Sequence, residues 1–307
     1  MRYRFMKTSV SYINCLIKED VEETRGDPLS SMDKLLITLR FYATGSFQRV
    51  LGDLVNIDQS TVCRAINETS LKIAKLFHRF VRLPTPEQQQ QYVESFYEKF
   101  GFPRVVGLID GTHIPCKSPG GPDAELFRCR KGYFSINCQV TCNADMRIMD
   151  LVARWHGSAH DQTIFNFSTL KMKCEENYFG RYFLLGDNGY ANKSYLLTPL
   201  SNPLTEQERK YNRIHKTTRN LVERCIGVWK TRFPVLQTKS RQKLKNTLKV
   251  ITATAILHNI ARDLNEPSPP PPEIPLPALY QEIHPVVRNL HEALPDNSTR
   301  NVIINTI

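Results

Sequence analysis

The sequence predicts an α/β fold in which a helical region precedes a mixed β-sheet covered by helices. The first observation is a change in apolar spacing along the chain. Residues 31 to 82 follow the 3.6-residue period of amphipathic helices, whereas buried and alternating strand patterns begin at residue 104. The second observation is the order of segments from there on: three strands, a helix, a strand and then helices, which is typical of an α/β sheet with mixed pairing.

The helical region contains three predicted helices. "MDKLLITLRFYATG" ends at Gly45, and "SFQRVLGDLV" follows with Ser46 as a predicted N-cap. The apolar face of this second helix consists of Phe47, Val50, Leu51 and Leu54. A three-residue turn leads into "QSTVCRAINETSLKIAKLF", and this spacing fits a helix-turn-helix. The side chains offered to DNA at the start of the third helix are Gln59, Ser60, Thr61 and Arg64. Helical hairpins also occur without DNA binding, so both interpretations stay open.

The strand region places two carboxylates at predicted strand ends. "RVVGLIDG" is a continuous apolar strand that closes on Asp110, and "YFLLGDNG" closes in the same way on Asp187. Between them lies a hairpin, "FSINCQVTCNADMRIMDLVARW", with its turn at residues 143–145, and then a helical segment at about 159 to 176.

Neighbouring strands would bring the Asp110 and Asp187 carboxylates face to face, where two ionised groups repel. A divalent cation removes that repulsion, and hard oxygen ligands suit Mg²⁺ or Mn²⁺. Two further acids have alternative interpretations. Glu223 lies at the edge of the apolar stripe of a predicted helix at about 216 to 230, where it serves either as a metal ligand or as a surface ion-pair partner. Asp161 is either a further ligand or a helix N-cap.

The net charge of +11 comes from 41 basic and 30 acidic residues, and it is concentrated in one part of the chain. Residues 206 to 249 contain 13 Lys or Arg against three Glu, which favours a polyanion partner; the alternative is a solvated helix surface. Within this stretch, "KSRQKLK" at 239–245 also resembles a nuclear-import signal. No apolar run approaches a membrane span, so no membrane association is expected.

Composition divides the chain into four predicted segments. Residues 1–83 form the helical, helix-turn-helix-like domain, and 84–103 are assigned as a linker. In this stretch Pro84, Pro86 and the QQQQ run at 88–91 mark either a linker or the start of a polar helix. Residues 104–265 form the α/β domain, which includes a strongly apolar helix at 243–264. Residues 266–307 begin with "EPSPPPPEIPLP" and are expected to be a flexible tail with a short helix at 279–293.

Several long blocks resemble the DDE endonuclease of the PIF/Harbinger transposase superfamily, and in particular the harbinger transposase-derived nucleases. These blocks are "FPRVVGLIDGTHIPCKSP", "RKGYFSINCQVTCNADMRIMDLVARWHGSAHDQTIF", "LLGDNGYANKSYLLTPLSNPLTEQERKYNRIHKTTRNLVERCIGVWKTRFPVL" and "AILHNIARDL". The resemblance covers roughly residues 5 to 265 and includes the helical region. Family members carry more chain before the position of Phe5, so the resemblance implies an N-terminally truncated helical domain.

The resemblance implies an RNase H-like fold with a five-stranded mixed sheet. It further implies catalytic roles for Asp110, Asp187 and Glu223, with Asp161 as an additional metal ligand for Mg²⁺ or Mn²⁺. The activity implied is two-metal hydrolysis of DNA phosphodiester bonds. The backbone of the DNA would be held by Arg213, Lys216, Arg219, Arg224 and Lys230.

Partners implied by the resemblance are DNA and a Myb/SANT-like accessory protein, with location in nucleus and cytoplasm and a homo-oligomer as a further expectation. The alternative is a domesticated transposase that binds DNA with its Myb-like partner but does not cut.

Overall fold

The computed structural model describes residues 2–18, 29–268 and 298–306. These residues form two compact units, each assembled from separate stretches of the chain. The first unit contains the described residues up to 81, residues 114–136 and the described residues from 227 to 268. The second contains 82–113, 137–226 and 298–306. The units therefore do not coincide with the predicted segments 1–83 and 104–265, because the chain passes between them several times.

A five-stranded mixed sheet has the strand order β3-β2-β1-β4-β5. Its strands are β1 (Val105–Pro115), β2 (Ser135–Cys142), β3 (Ile148–His156), β4 (Phe183–Leu185) and β5 (Leu196–Leu197). Strand β4 pairs in parallel with both β1 and β5. The predicted α/β class, the mixed five-stranded sheet and the β2–β3 connection at 143–145 are thereby confirmed.

The helices, in chain order, are α1 (Lys7–Ile17), α2 (Ser31–Thr44), α3 (Gln48–Val55), α4 (Gln59–Ala74), α5 (Phe77–Phe80), α6 (Pro86–Phe100), α7 (Asp161–Asn166), α8 (Thr169–Glu175), α9 (Glu206–Arg232), α10 (Leu244–Asp263) and α11 (Ser298–Thr306). No helix among the described residues is long and apolar enough to cross a membrane.

The first unit is largely helical, and local interactions fix both ends of its helix α2. A reciprocal Ser30–Asp33 capping box starts α2, and Gly45 ends it in the left-handed conformation with φ of 63°. Gly45 also leaves room for a neighbour, because a Cβ atom there would lie 2.5 Å from Thr238 Oγ1. Tyr42 of α2 is fully buried and meets Phe233 edge-on at 6.3 Å between ring centroids.

Helices α3 and α4 are joined by the predicted three-residue turn, residues 56–58. A helix-turn-helix function and DNA contact stay predictions here. The predicted cap and apolar face of α3 need correction. Phe47, not Ser46, occupies the N-cap position, and no side chain caps the helix. Of the four apolar residues on the predicted face, only Leu51 is buried; Phe47, Val50 and Leu54 are exposed.

The segment 84–103 contains α6, which agrees with the helix start left open as the alternative to a linker. Thr85 and Gln88 form a capping box, Pro86 starts the helix, and Val93 and Phe96 supply a buried face. Two further predictions need correction. Helix α9 begins at Glu206, ten residues before the predicted start.

The predicted tail ends in a helix, α11, with Ile303 and Ile304 buried. The short helix predicted at 279–293 lies outside the described residues.

Candidate active site

Asp110 and Asp187 occupy equivalent positions at one end of the β1–β4 ladder. The register pairs Leu108 with Leu185, and each aspartate lies two residues beyond its member of that pair. Asp110 does not end its strand as predicted, because β1 continues to Pro115 while its pairing with β4 stops at Leu108. The parallel ladder therefore aims both carboxylates at the same edge, even though only Asp187 lies beyond a strand end.

Asp161 is the first residue of α7, and its side chain does not cap the helix. The N-cap position belongs to His160, which makes no side-chain capping bond. Asn137 on β2 instead donates from Nδ2 to Asp161 Oδ1 at 3.2 Å and to the carbonyl oxygen of Ala159 at 2.9 Å. A Cβ atom added to Gly111 would lie 2.3 Å from Asp161 Oδ1, so the glycine beside Asp110 leaves the space that this carboxylate fills.

Arg219 of α9 lies among these acids and pairs with three of them. Its Nη2 atom lies 2.8 Å from Asp110 Oδ1 and 3.7 Å from Asp187 Oδ2. Its Nη1 atom donates to Oε1 of Glu223, four residues further along the same helix. The Arg219 side chain is only 14% exposed, compared with 28% for Glu223 and 38% for Asp187. One buried guanidinium thus serves as the common counterion of the site.

The electrostatics of Asp110 reflect the crowding of negative charge around it. Burial raises its pKa to about 8, and the neighbouring Asp187 and Asp161 carboxylates act in the same direction, while Arg219 and the Gly111 N–H oppose them. Burial and the neighbouring carboxylates therefore favour a proton on Asp110, whereas the charge of Arg219 favours its ionised form.

Tyr190 is a site residue that the sequence analysis does not identify. Its ring is buried and lies perpendicular to Phe165 of α7 at 6.0 Å, while its hydroxyl has no hydrogen-bond partner among the described residues. Burial, with added repulsion from the nearby carboxylates, raises the pKa of Tyr190 well above its ordinary value. Gly186 leaves room for this ring, because a Cβ there would lie 2.9 Å from Tyr190 Cδ2.

The residues predicted to bind DNA fall into two groups. Gln59, Ser60 and Arg64 on α4 are exposed, as are Arg213, Lys216 and Arg224 on α9, so these side chains are accessible to a ligand. Thr61 and Lys230 are partly buried. Arg219, which the sequence analysis assigns to the DNA backbone, instead pairs with the carboxylates described above.

The donor set fits a divalent cation in its chemistry. Asp110, Asp161, Asp187 and Glu223 supply hard carboxylate oxygens, and Gly111 keeps the cradle around Asp161 open. Among the described residues, no three acidic, histidine or cysteine side chains are already arranged as a metal cluster. Arg219 accounts for part of this arrangement, because its guanidinium contacts three of the four acids.

The family model described as "DDE superfamily endonuclease" matches residues 109–259, a range that includes all four acids. The mouse (Mus musculus) protein named "Putative nuclease HARBI1" is 31% identical over 243 residues, which cover 78% of this chain and 69% of the mouse protein. The chain therefore belongs to the DDE endonuclease family that contains the harbinger transposase-derived nucleases.

Two other relatives extend the comparison to human and plant proteins. The Homo sapiens protein of the same name is 28% identical over 265 residues, covering 84% of this chain and 76% of the relative. "Protein ALP1-like" of Arabidopsis thaliana is 24% identical over 288 residues, covering 86% and 70% respectively. No solved structure matches the chain.

Proposed function

We propose that this protein is a metal-dependent DNA endonuclease of the DDE type with an RNase H-like catalytic fold. The observation that carries this proposal is the convergence of four carboxylates from β1, α7, the β4 end and α9, three of which pair with the largely buried guanidinium of Arg219. Such a concentration of acids is costly in a partly buried site unless cations balance it. The family membership and the name of the mouse relative, a nuclease, support the same reaction class.

Asp110, Asp187 and Glu223 are the proposed catalytic ligands, and Asp161 supports them. Two divalent ions, Mg²⁺ or Mn²⁺, would supply an activated water and stabilise the leaving oxygen during phosphodiester hydrolysis. Asn137 keeps the Asp161 carboxylate oriented through its amide N–H. Asp110 would hold a metal ion in its ionised form, and the ion would compete with Arg219 for the carboxylates of Asp110, Asp187 and Glu223.

The test is nicking of supercoiled plasmid DNA in Mg²⁺ or Mn²⁺ by the wild-type chain and by Asp187→Asn. We expect the cutting rate of the variant to fall by more than about 100-fold. Loss of a residue that only supports a metal ligand costs up to about 100-fold, and loss of a ligand itself should cost more. Glu175→Gln is the matched control, since it removes one carboxylate that is exposed and paired with Lys171. It should cut at the wild-type rate.

A different result would favour the non-cutting alternative. If wild type and Asp187→Asn bind DNA equally and neither cuts, the protein is better described as a DNA-binding member of the family. Since the family resemblance also predicts a Myb/SANT-like partner, the assay is run with and without such a protein. That partner, the homo-oligomer and the location in nucleus and cytoplasm stay predictions.

A further inference from the structure

A short backbone pairing in the first unit fixes the position of the basic segment at 239–243. The Ser240 N–H donates to the Pro115 carbonyl at 3.0 Å, and the Lys117 N–H donates to the Ser240 carbonyl at 2.8 Å. Together these bonds form a parallel bridge between Cys116 and Ser240. The Ser240 hydroxyl also lies 2.8 Å from that of Thr247 on α10. The segment is therefore built into the fold by its backbone and by Ser240.

Side chains alternate across this bridge and place cations on its outer side. Cys116 is buried beneath the bridge, while Lys117, Lys239 and Arg241 are exposed. This is the distribution expected where successive side chains point to opposite faces of paired extended strands. Lys243, at the N-cap position of α10, is exposed as well. The term basic surface denotes these four residues: Lys117, Lys239, Arg241 and Lys243.

Arg241 has a fixed orientation in addition to its charge. Its guanidinium carbon lies 4.0 Å from the centre of the Phe47 ring. A guanidinium stacked on an aromatic face keeps the N–H groups at its edge available, and their fork matches the geometry of a phosphate. Phe47 is exposed beside it, so the stacked pair is open to a ligand.

None of the described carboxylates forms an ion pair with any member of the basic surface. Some cations elsewhere do have an acidic partner, as in the pairs Lys34–Glu68, Lys99–Asp145, Lys171–Glu175 and Arg128–Glu125. Four neighbouring cations without such partners repel one another, and a ligand with closely spaced negative charges relieves that repulsion.

We propose that the basic surface binds the phosphate backbone of DNA, an inference that rests on the proposed nuclease function. A nucleic-acid backbone can be held through side chains alone, and these side chains project from a fixed segment. A receptor that reads "KSRQKLK" as an extended import signal would have to replace the two Ser240 backbone bonds. The fold therefore favours DNA phosphate over a protein receptor as the ligand.

The test compares two double variants that remove the same charge from the same unit. Lys239→Gln/Lys243→Gln neutralises half of the basic surface, whereas Lys7→Gln/Lys18→Gln neutralises two exposed lysines of α1 and its C-cap. Binding of a fluorescent DNA duplex is measured by anisotropy in EDTA, so that no cutting occurs, over a series of NaCl concentrations. Thermal melting checks that both variants fold.

We expect the basic-surface variant to reduce the slope of log K against log salt by about 0.9 for each lost phosphate contact, or about 2 in total. The α1 variant should keep the wild-type slope. With Mg²⁺, the basic-surface variant should require more DNA than the wild type to reach half of its own maximal cutting rate.

Three results would overturn the inference, and they are distinguishable from one another. An unchanged slope in a wild-type protein that binds and cuts DNA removes the basic surface from the DNA interface and leaves the nuclease intact. If the basic-surface variant binds DNA normally but no longer enters the nucleus of cells, the segment belongs to the site of an import receptor. If the wild-type chain neither binds nor cuts DNA, the proposed function fails and this inference fails with it.

Discussion

The carboxylate site of the second unit and the basic surface of the first unit both concentrate charge of one sign, but they balance it differently. The acids hold an internal counterion, Arg219, which is 14% exposed and contacts Asp110, Asp187 and Glu223. The cations of the basic surface have no acidic partner among the described residues and face solvent. A cluster of acids that is balanced by an internal cation is stable without a ligand. A metal ion that binds there would have to displace the guanidinium of Arg219. An unbalanced surface gains directly from an added polyanion.

Arg219→Gln is expected to have the largest effect on the metal-free protein. It leaves several partly buried carboxylates without their shared cation, and breaking a buried ion pair typically costs about 3 to 5 kcal/mol in the free energy of unfolding. Urea denaturation in EDTA measures this loss. Because the competing cation has gone, Mn²⁺ should bind this variant more tightly than wild type, which titration by electron paramagnetic resonance detects without any DNA.

Arg213→Gln is the matched control on the same helix. Arg213 is 65% exposed and pairs with the exposed Glu206 at 3.1 Å, so its loss should change the free energy of unfolding very little. Arg219→Gln could instead lower the free energy of unfolding no more than this control does and bind Mn²⁺ no more tightly than wild type. In that case Arg219 is not the counterion of the carboxylate site.

Asp110 provides a test based on pH. The pKa of Asp110 is about 8 in the folded protein, whereas the ordinary value is 3.8. Between these two pH values the folded state keeps the Asp110 proton, whereas the unfolded state has released it. The contribution of Asp110 to the free energy of unfolding is thus largest below about pH 4 and falls as the pH rises towards 8. Between pH 5 and 7, the wild type should lose about 2 to 3 kcal/mol relative to Asp110→Asn.

The measurement is urea unfolding of both proteins in EDTA at several pH values. Asp150, whose pKa is raised to about 6 by burial, is present in both, so its contribution cancels in the difference. Parallel pH profiles for the two proteins would mean that Asp110 is already ionised at pH 5, and that Arg219 alone balances the acids.

Much of the carboxylate site could be predicted from sequence because its signals are local. The apolar runs before Asp110 and Asp187 identify two strands, and the helical period puts Glu223 at the edge of an apolar stripe. That the two strands are neighbours is a condition of the prediction, which the β1–β4 pairing meets. The spacing of Arg219 and Glu223, four residues apart on one helix, also allows them to pair. That spacing was a usable signal for Arg219, although the sequence analysis assigned this residue to DNA.

The unpredicted features depend on contacts between distant residues or on very short elements. Strand β5 has only two residues, too few to show a period. The bridge between Cys116 and Ser240 joins positions more than 120 residues apart, and neither segment has a recognisable strand pattern. Sequence spacing could therefore indicate a basic stretch, but it could not place Lys117 beside Lys239 and Arg241.

The smallest expected effect comes from Phe47→Ala, which separates the orientation of Arg241 from its charge. Removing the ring loses a cation–π contact of about 0.5 to 1 kcal/mol, equivalent to roughly a two- to fivefold loss in DNA affinity if the stacked geometry is the one that binds phosphate. The salt slope should stay at the wild-type value, because the number of charges facing the DNA is unchanged. Anisotropy titration over the same NaCl series measures both quantities.

Val50→Ala, which trims another exposed apolar side chain on α3, should change neither. A reduced slope in Phe47→Ala would show that Arg241 reaches the phosphate only when stacked, so that the ring contributes to the charge contact itself.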